Sequence, residues 1–212
     1  MDGNSSDLIH YHAPRTRSGA IRWLFAELDV PHDLKLMNLA KGDHKTPEFL
    51  GINPMGKVPT VVHKGVVITE APAICAYLAD AFPAAGLAPA TDDPARGRYF
   101  RALFFYSGCV EPAAGDRALK REPGPSSQVG YGTFESMIEG LKDIIGSGPY
   151  ILGERFTAAD VMLGAGVGYL SDFGLLPKDP VFSSYVARVR ARPTYARTTA
   201  EEETLLAKLA AE

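Results

Sequence analysis

Pro59 stands second in the strand-forming run Val58–His63 of "GINPMGKVPTVVHKG". Proline has no main-chain donor and is normally confined to strand edges, bulges and turns. Lys57-Val58-Pro59-Thr60 therefore either punctuates the chain or keeps main chain free to pair with something else. Glu70 follows in "TEAPAI", where a helix begins. A carboxylate there is favoured by the helix dipole, and the amide groups of the same turn form an anion site. Lys57 supplies a cation beside the proline. Ser18 precedes an apolar-periodic run and fits a helix N-cap. The two cysteines, Cys75 and Cys109, are too few for a disulfide framework or a metal cluster, and no Cys-x-x-Cys is present.

The elements that must position these residues read as two halves. Leu8–His12 is a strand candidate ending before Pro14, followed by a helix with Ile21, Leu24, Phe25 and Leu28 on one face. Leu34–Leu39 reads as a second strand and Lys45–Leu50 as a short helical segment. Val58–His63 and Val66–Ile68 form a hairpin around Lys64-Gly65. Glu70 to Phe82 is helical, with Pro72 in its first turn and Pro83 closing it. "AAGLAPATDDPARG" reads as a linker. Beyond it the patterns are helical: Phe134, Met137, Ile138, Leu141 and Ile145 make one stripe, and Phe182, Tyr185, Val186 and Val189 another. Thr157 and Asp160 in "GERFTAADVMLG" have capping-box spacing, "REPGPSSQVG" breaks two helices, and the tail "AEEETLLAKLAAE" suits a surface helix. The expected class is α/β plus all-α: a βαβαββα domain over residues 1–83, a linker over 84–94 and an all-helical domain over 95–212.

Composition sets outer bounds. With 46% hydrophobic and 22% charged residues, the 212-residue chain can build a real core. A net charge of −3 leaves no basic footprint for nucleic acid. No apolar run is long enough to span a membrane, and "MDGNSSD" lacks the apolar stretch of a signal peptide. A cytoplasmic protein with no metal is the expectation.

Four segments, "YHAPRTRSGAIRWLFAEL", "NPMGKVPTVV", "TEAPAICAYLADAFP" and "YILGERFTAADVML", together resemble the cytosolic glutathione transferases, proteobacterial members included. The resemblance covers nearly the whole chain. It implies a thioredoxin-like first domain, glutathione as co-substrate, a homodimer, and addition of the glutathione thiolate to a small hydrophobic electrophile in detoxification. A glutathione-dependent disulfide reductase or peroxidase, and a non-catalytic glutathione-binding protein, are the alternatives.

The resemblance also implies roles for residues. The Val58–Pro59 bond would be cis, and the Val58 main chain would pair with glutathione as an added strand. Glu70 would accept the γ-glutamyl ammonium. Ala71 stands where the family usually has serine, leaving only its N–H for the carboxylate. Lys57, with His44 and Lys45 behind it, would reach the glycyl carboxylate. A hydroxyl between the first strand and first helix would lower the thiol pKa, since the thiolate is the nucleophile. Thr16 is the first candidate and Ser18 the second, with Tyr11 a further alternative inside the strand and Arg15 and Arg17 as sources of field. Arg17 occupies the cysteine position of beta-class members, which argues against a cysteine mechanism. Phe105, Tyr106 and Cys109 would wall the electrophile site.

Overall fold

A computed structural model describes residues 7–211. Residues 1–6, within the segment expected to lack a leader, and residue 212 lie outside the described residues. The chain forms two compact units: residues up to Leu78 together with those from Pro193 onward, and Ala79–Arg192.

The first unit is built on strands β1 (Leu8–His12), β2 (Asp33–Leu36), β3 (Thr60–His63) and β4 (Val66–Ile68), in spatial order β2-β1-β3-β4. β1 runs parallel to β2, with Ile9 opposite Asp33, and antiparallel to β3, with Leu8 opposite His63. The β3–β4 turn places Lys64 at φ 51° and Gly65 at φ 79°. Two successive positive φ angles suit the right-handed twist of a hairpin, and the second is a glycine at little steric cost. Helix α1 (Ser18–Leu28) buries Ile21, Trp23, Leu24, Phe25 and Leu28. Helices α2 (Pro47–Ile52) and α3 (from Ala71 to Ala81) follow in the expected order.

Two strands are shorter than their sequence patterns. β2 ends at Leu36 because the Asp43 carboxylate captures the Asn38 N–H at 2.7 Å and the Asn38 side chain accepts from Lys41 N–H at 3.2 Å, so the chain turns there. β3 begins at Thr60 because Pro59 offers no donor for the ladder. Ser18 is the first residue of α1, not its cap: Arg17 holds the cap position, with no side-chain cap bond.

The second unit contains α4 (Ala95–Phe105), a π-turn over Tyr106–Val110, α5 (Glu111–Ala118), α6 (Phe134–Ile145), α7 (Ala158–Asp172) and α8 (Pro180–Arg190). The stripes on α6 and α8 are buried as their spacing predicts, apart from Phe134. On α7 two glycines permit close packing. A Cβ on Gly166 would fall 2.1 Å from the Tyr106 ring, and one on Gly164 would fall 2.9 Å from Val189. The last helix, α9 (Pro193–Ala211), packs on α1 in the first unit, whereas the expected helical domain over 95–212 includes it. Trp23 meets Tyr195 edge-on at 5.1 Å and donates from Nε1 to Glu27 and Thr194.

The expected capping box caps α7. Asp160 is fully buried and accepts from Thr157 N–H (2.9 Å), Ile151 N–H (2.9 Å), the Thr157 hydroxyl (3.1 Å) and the Tyr185 hydroxyl (3.2 Å). Burial nevertheless raises its carboxyl to about 6, because desolvation outweighs these donors. A carboxyl raised on folding binds its proton more readily in the native state. Its contribution to stability is therefore complete below the unfolded value of 3.8 and lost as pH rises through about 6. Asp160→Asn should abolish this component of the pH dependence, read as denaturation midpoints between pH 4 and 7. It should also lower stability at every pH by about 1–3 kcal/mol, since an amide cannot accept from all four donors.

Candidate functional site

The segment before β3 is held by one side chain. Asn53 is buried, and its Nδ2 donates to the Lys57 carbonyl (2.9 Å) and to Thr60 Oγ1 (3.0 Å). Its Oδ1 accepts from Met55 N–H (3.1 Å), and Thr60 Oγ1 donates to the same Lys57 carbonyl (2.9 Å). Gly56 lies at φ 59° with its α-carbon so close to His44 that a Cβ would sit 2.6 Å from the His44 carbonyl oxygen. Nothing in the sequence patterns singles out Asn53 beyond its place in an Asn-Pro turn. Lys45 Nζ donates to the Met55 carbonyl at 3.3 Å, so it supports this turn from outside.

Val58 follows, half-buried, and the Val58–Pro59 bond is cis. Among the described residues none pairs with the Val58 main-chain N–H or C=O. Its side chain packs on Ala13, Met37 and Phe49, next to Tyr11, whose ring meets Phe49 at 5.3 Å. Tyr11 is thus part of the packing under the site. Val58 thereby joins a cluster that includes Ala13 of the β1–α1 loop.

In that loop the Thr16 hydroxyl donates to the Ala13 carbonyl at 2.7 Å and accepts from Ser18 N–H at 3.1 Å. Thr16 is half-buried, whereas Arg15 and Arg17 are exposed. Ser18 is placed differently. It is fully buried, and its hydroxyl lies 2.9 Å from both His10 Nε2 and His12 Nδ1. Residues 8, 10 and 12 share the buried face of β1, so both imidazoles point into the core. Burial, and then the neighbouring His12 imidazole, push His10 well below the ordinary imidazole value. This pair went unread in the sequence, although strand periodicity alone puts it on the face of Leu8.

Glu70 is exposed, with φ at 63°, and its carbonyl accepts from Ile74 N–H at 2.9 Å to open α3. Ala71 is buried in the first turn of that helix, and Lys57 is exposed beside Val58.

The aromatic and sulfur candidates lie in the helical unit. Tyr106 is packed under Gly166 in the interior, and Phe105 is half-buried against Gly140. Cys109 is half-buried, with Sγ 3.7 Å from the Gly130 carbonyl, and burial raises its thiol. Cys75 is fully buried in α3 and its thiol is pushed up to about 12, far from a reactive thiolate. Among the described residues no helix is long and apolar enough to cross a membrane.

Comparison with known proteins places the sequence and the fold in a family. Residues 6–80 match the glutathione S-transferase N-terminal domain. Glutathione S-transferase A of Pleuronectes platessa is 30% identical over 179 residues, covering 77% of each chain. A glutathione transferase structure from Methylococcus capsulatus superposes with a TM-score of 0.77 at 28% identity, covering 93% of this chain and 99% of that one. A glutathione transferase homologue from Sulfitobacter, solved with bound glutathione, gives 0.71 at 27% identity, covering 92% and 97%. The thioredoxin-like sheet, the helical unit and these relatives together establish that the chain belongs to the glutathione S-transferase family.

Proposed function

We propose that this enzyme binds glutathione along the segment before β3 and adds its thiolate to a small hydrophobic electrophile. The observation that carries the reading is the unpaired main chain of Val58, whose side chain packs against the cluster that includes Ala13, the residue whose carbonyl accepts from Thr16. An extended tripeptide can bond to that main chain as a short added strand. Its γ-glutamyl end would meet Glu70 through the ammonium and the Ala71 N–H through the carboxylate, at the N-terminus of α3. Lys57 would face the glycyl carboxylate. The glutathione named in the Sulfitobacter structure supports this choice of peptide.

Thr16 is the proposed donor to the sulfur. Its hydroxyl donates to the Ala13 carbonyl. Transfer of that bond to a thiolate would exchange a neutral acceptor for a charged one, which forms the stronger bond. Ser18, buried between its two histidines, is assigned a supporting role. Phe105, Tyr106 and Cys109 are proposed to shape the electrophile site only through the packing of the helical unit. A homodimer in the cytoplasm is the proposed assembly and location, and light scattering at micromolar concentration checks the former.

Two substitutions test the reading. Glu70→Ala should weaken glutathione binding by about 1–3 kcal/mol by calorimetry, the scale for leaving a charged partner unpaired. Unchanged affinity in the folded variant would return Glu70 to a helix-opening role. Thr16→Val should lower turnover with an aryl halide by about 10²-fold, towards the low end for loss of one donor to a developing anion. The absorbance titration of bound glutathione should move to higher pH, with little change in its affinity. Parallel assays with a peroxide and a mixed disulfide separate transferase from peroxidase and reductase activity, and activity in none of them favours a binding protein.

A further inference from the structure

The buried polar groups behind the β1–α1 loop form a chain that ends on α9. His12 Nε2 lies 2.9 Å from Glu202 Oε1. The approach is bent away from ideal hydrogen-bond alignment, so the carboxylate acts on the ring chiefly through its charge. Arg22 Nε lies 3.4 Å from the same oxygen, and the Arg22 guanidinium also pairs with Glu201. The Glu202 carboxylate is thus clamped between α1 and β1, and its side chain is only 16% exposed.

Chemistry orients the whole chain. A lone pair on Nε2 would be repelled by the carboxylate, so the single proton of a neutral His12 resides on Nε2. His12 Nδ1 is then an acceptor, and the Ser18 hydroxyl donates to it. Ser18 Oγ in turn accepts from His10 Nε2–H, and this leaves His10 Nδ1 as a bare, buried lone pair, in accord with its lack of a partner. The lowered proton affinity of His10 suits this neutral form. The remaining groups around the pair are Phe25 and His32, whose rings stack at 3.9 Å, with His32 6.3 Å from His10. The main-chain N–H of the same Ser18 donates to Thr16 Oγ1.

We propose that Glu202 is a positioning residue for the Thr16 hydroxyl, acting through His12 and Ser18 from the C-terminal helix. The inference rests on Thr16 as the donor to the glutathione thiol. Glu202 touches neither glutathione nor the reacting atoms. Its charge sets the His12 tautomer, the tautomer sets which way the Ser18 hydroxyl points, and the fixed Ser18 holds its N–H on Thr16. With the carboxylate neutralised, the proton on His12 is free to move to Nδ1 and the Ser18 hydroxyl to reverse.

The test compares wild type with Glu202→Gln, and with Glu203→Gln as a control, because Glu203 makes only an exposed contact with Arg15 at 3.4 Å. Trp23, the sole tryptophan, packs on Tyr195 of α9, so its fluorescence reports whether that helix stays docked. Glu202→Gln should keep the Trp23 emission and the glutathione affinity. It should raise the apparent pKa of the bound thiol by about one unit, a tenfold loss of thiolate at fixed pH. Ser18→Ala, which cuts the chain at its centre, should give the same shift, and the double variant no more than either, as members of one coupled network do. Glu203→Gln should behave as wild type. An unshifted thiol in Glu202→Gln, with wild type showing a lowered one, overturns the inference and leaves the transferase reading standing. A shift accompanied by altered Trp23 emission assigns Glu202 to anchoring the helix and also overturns it. A wild-type protein whose bound thiol titrates like free glutathione removes the functional reading, and this inference with it.

Discussion

The missing amide hydrogen of Pro59 is the constraint around which the first unit is arranged. Without that donor the β3 ladder starts at Thr60, and Val58 is left at the sheet margin with its main chain unpaired. An unpaired margin is an invitation to any extended strand, so the surroundings must hold it in one place. Asn53 does so from one side, by tying the Lys57 carbonyl to Thr60, and the apolar contact of Val58 with Ala13, Met37 and Phe49 does so from the other. Polar bonds fix the height of the loop and packing fixes its lateral position. The result is a rigid main-chain surface made by residues whose side chains do little chemistry.

Around that surface charge is handled sparingly. Glu70 stands exposed at the opening of α3, and the thiols of both cysteines are raised by burial. The unit's buried ionisable groups are instead concentrated behind the loop, where β1, α1 and α9 meet. Such groups cost free energy unless each finds a partner, and here each imidazole shares one serine oxygen. The sharing explains why two histidines can lie on the core face of a strand that otherwise calls for apolar side chains.

Local signals in the sequence described most of this. The hairpin at Lys64-Gly65, the α6 and α8 stripes and the Thr157–Asp160 box depend on neighbours within a few residues, and all three form as their spacing requires, Phe134 apart. The cis bond at Pro59 became legible only through the family resemblance, whereas Glu70 at the opening of α3 was legible from the helix pattern itself. What stayed hidden depends on distant partners. β2 stops early because Asp43 reaches back to it. The place of α9 depends on Trp23 and Arg22, far earlier in the chain, and a run of three glutamates looks solvated until Arg22 on α1 is found opposite two of them. Ser18 looked like a cap because serine before an apolar run usually is one; its burial follows from the two histidines, which no helix pattern weighs.

The division of the chain into units has a consequence for its biosynthesis. The unit that carries Val58 and Glu70 is written in two pieces, separated by the whole of Ala79–Arg192. Chains are made from the N-terminus and units tend to fold as they emerge. Here the helical unit is complete in the nascent chain while the sheet still lacks α9 against α1. Until residues 193–211 have left the ribosome, Trp23 lacks Thr194 and Tyr195, and Arg22 lacks Glu201 and Glu202. In the order of synthesis α9 is the last part of the sheet unit to be supplied.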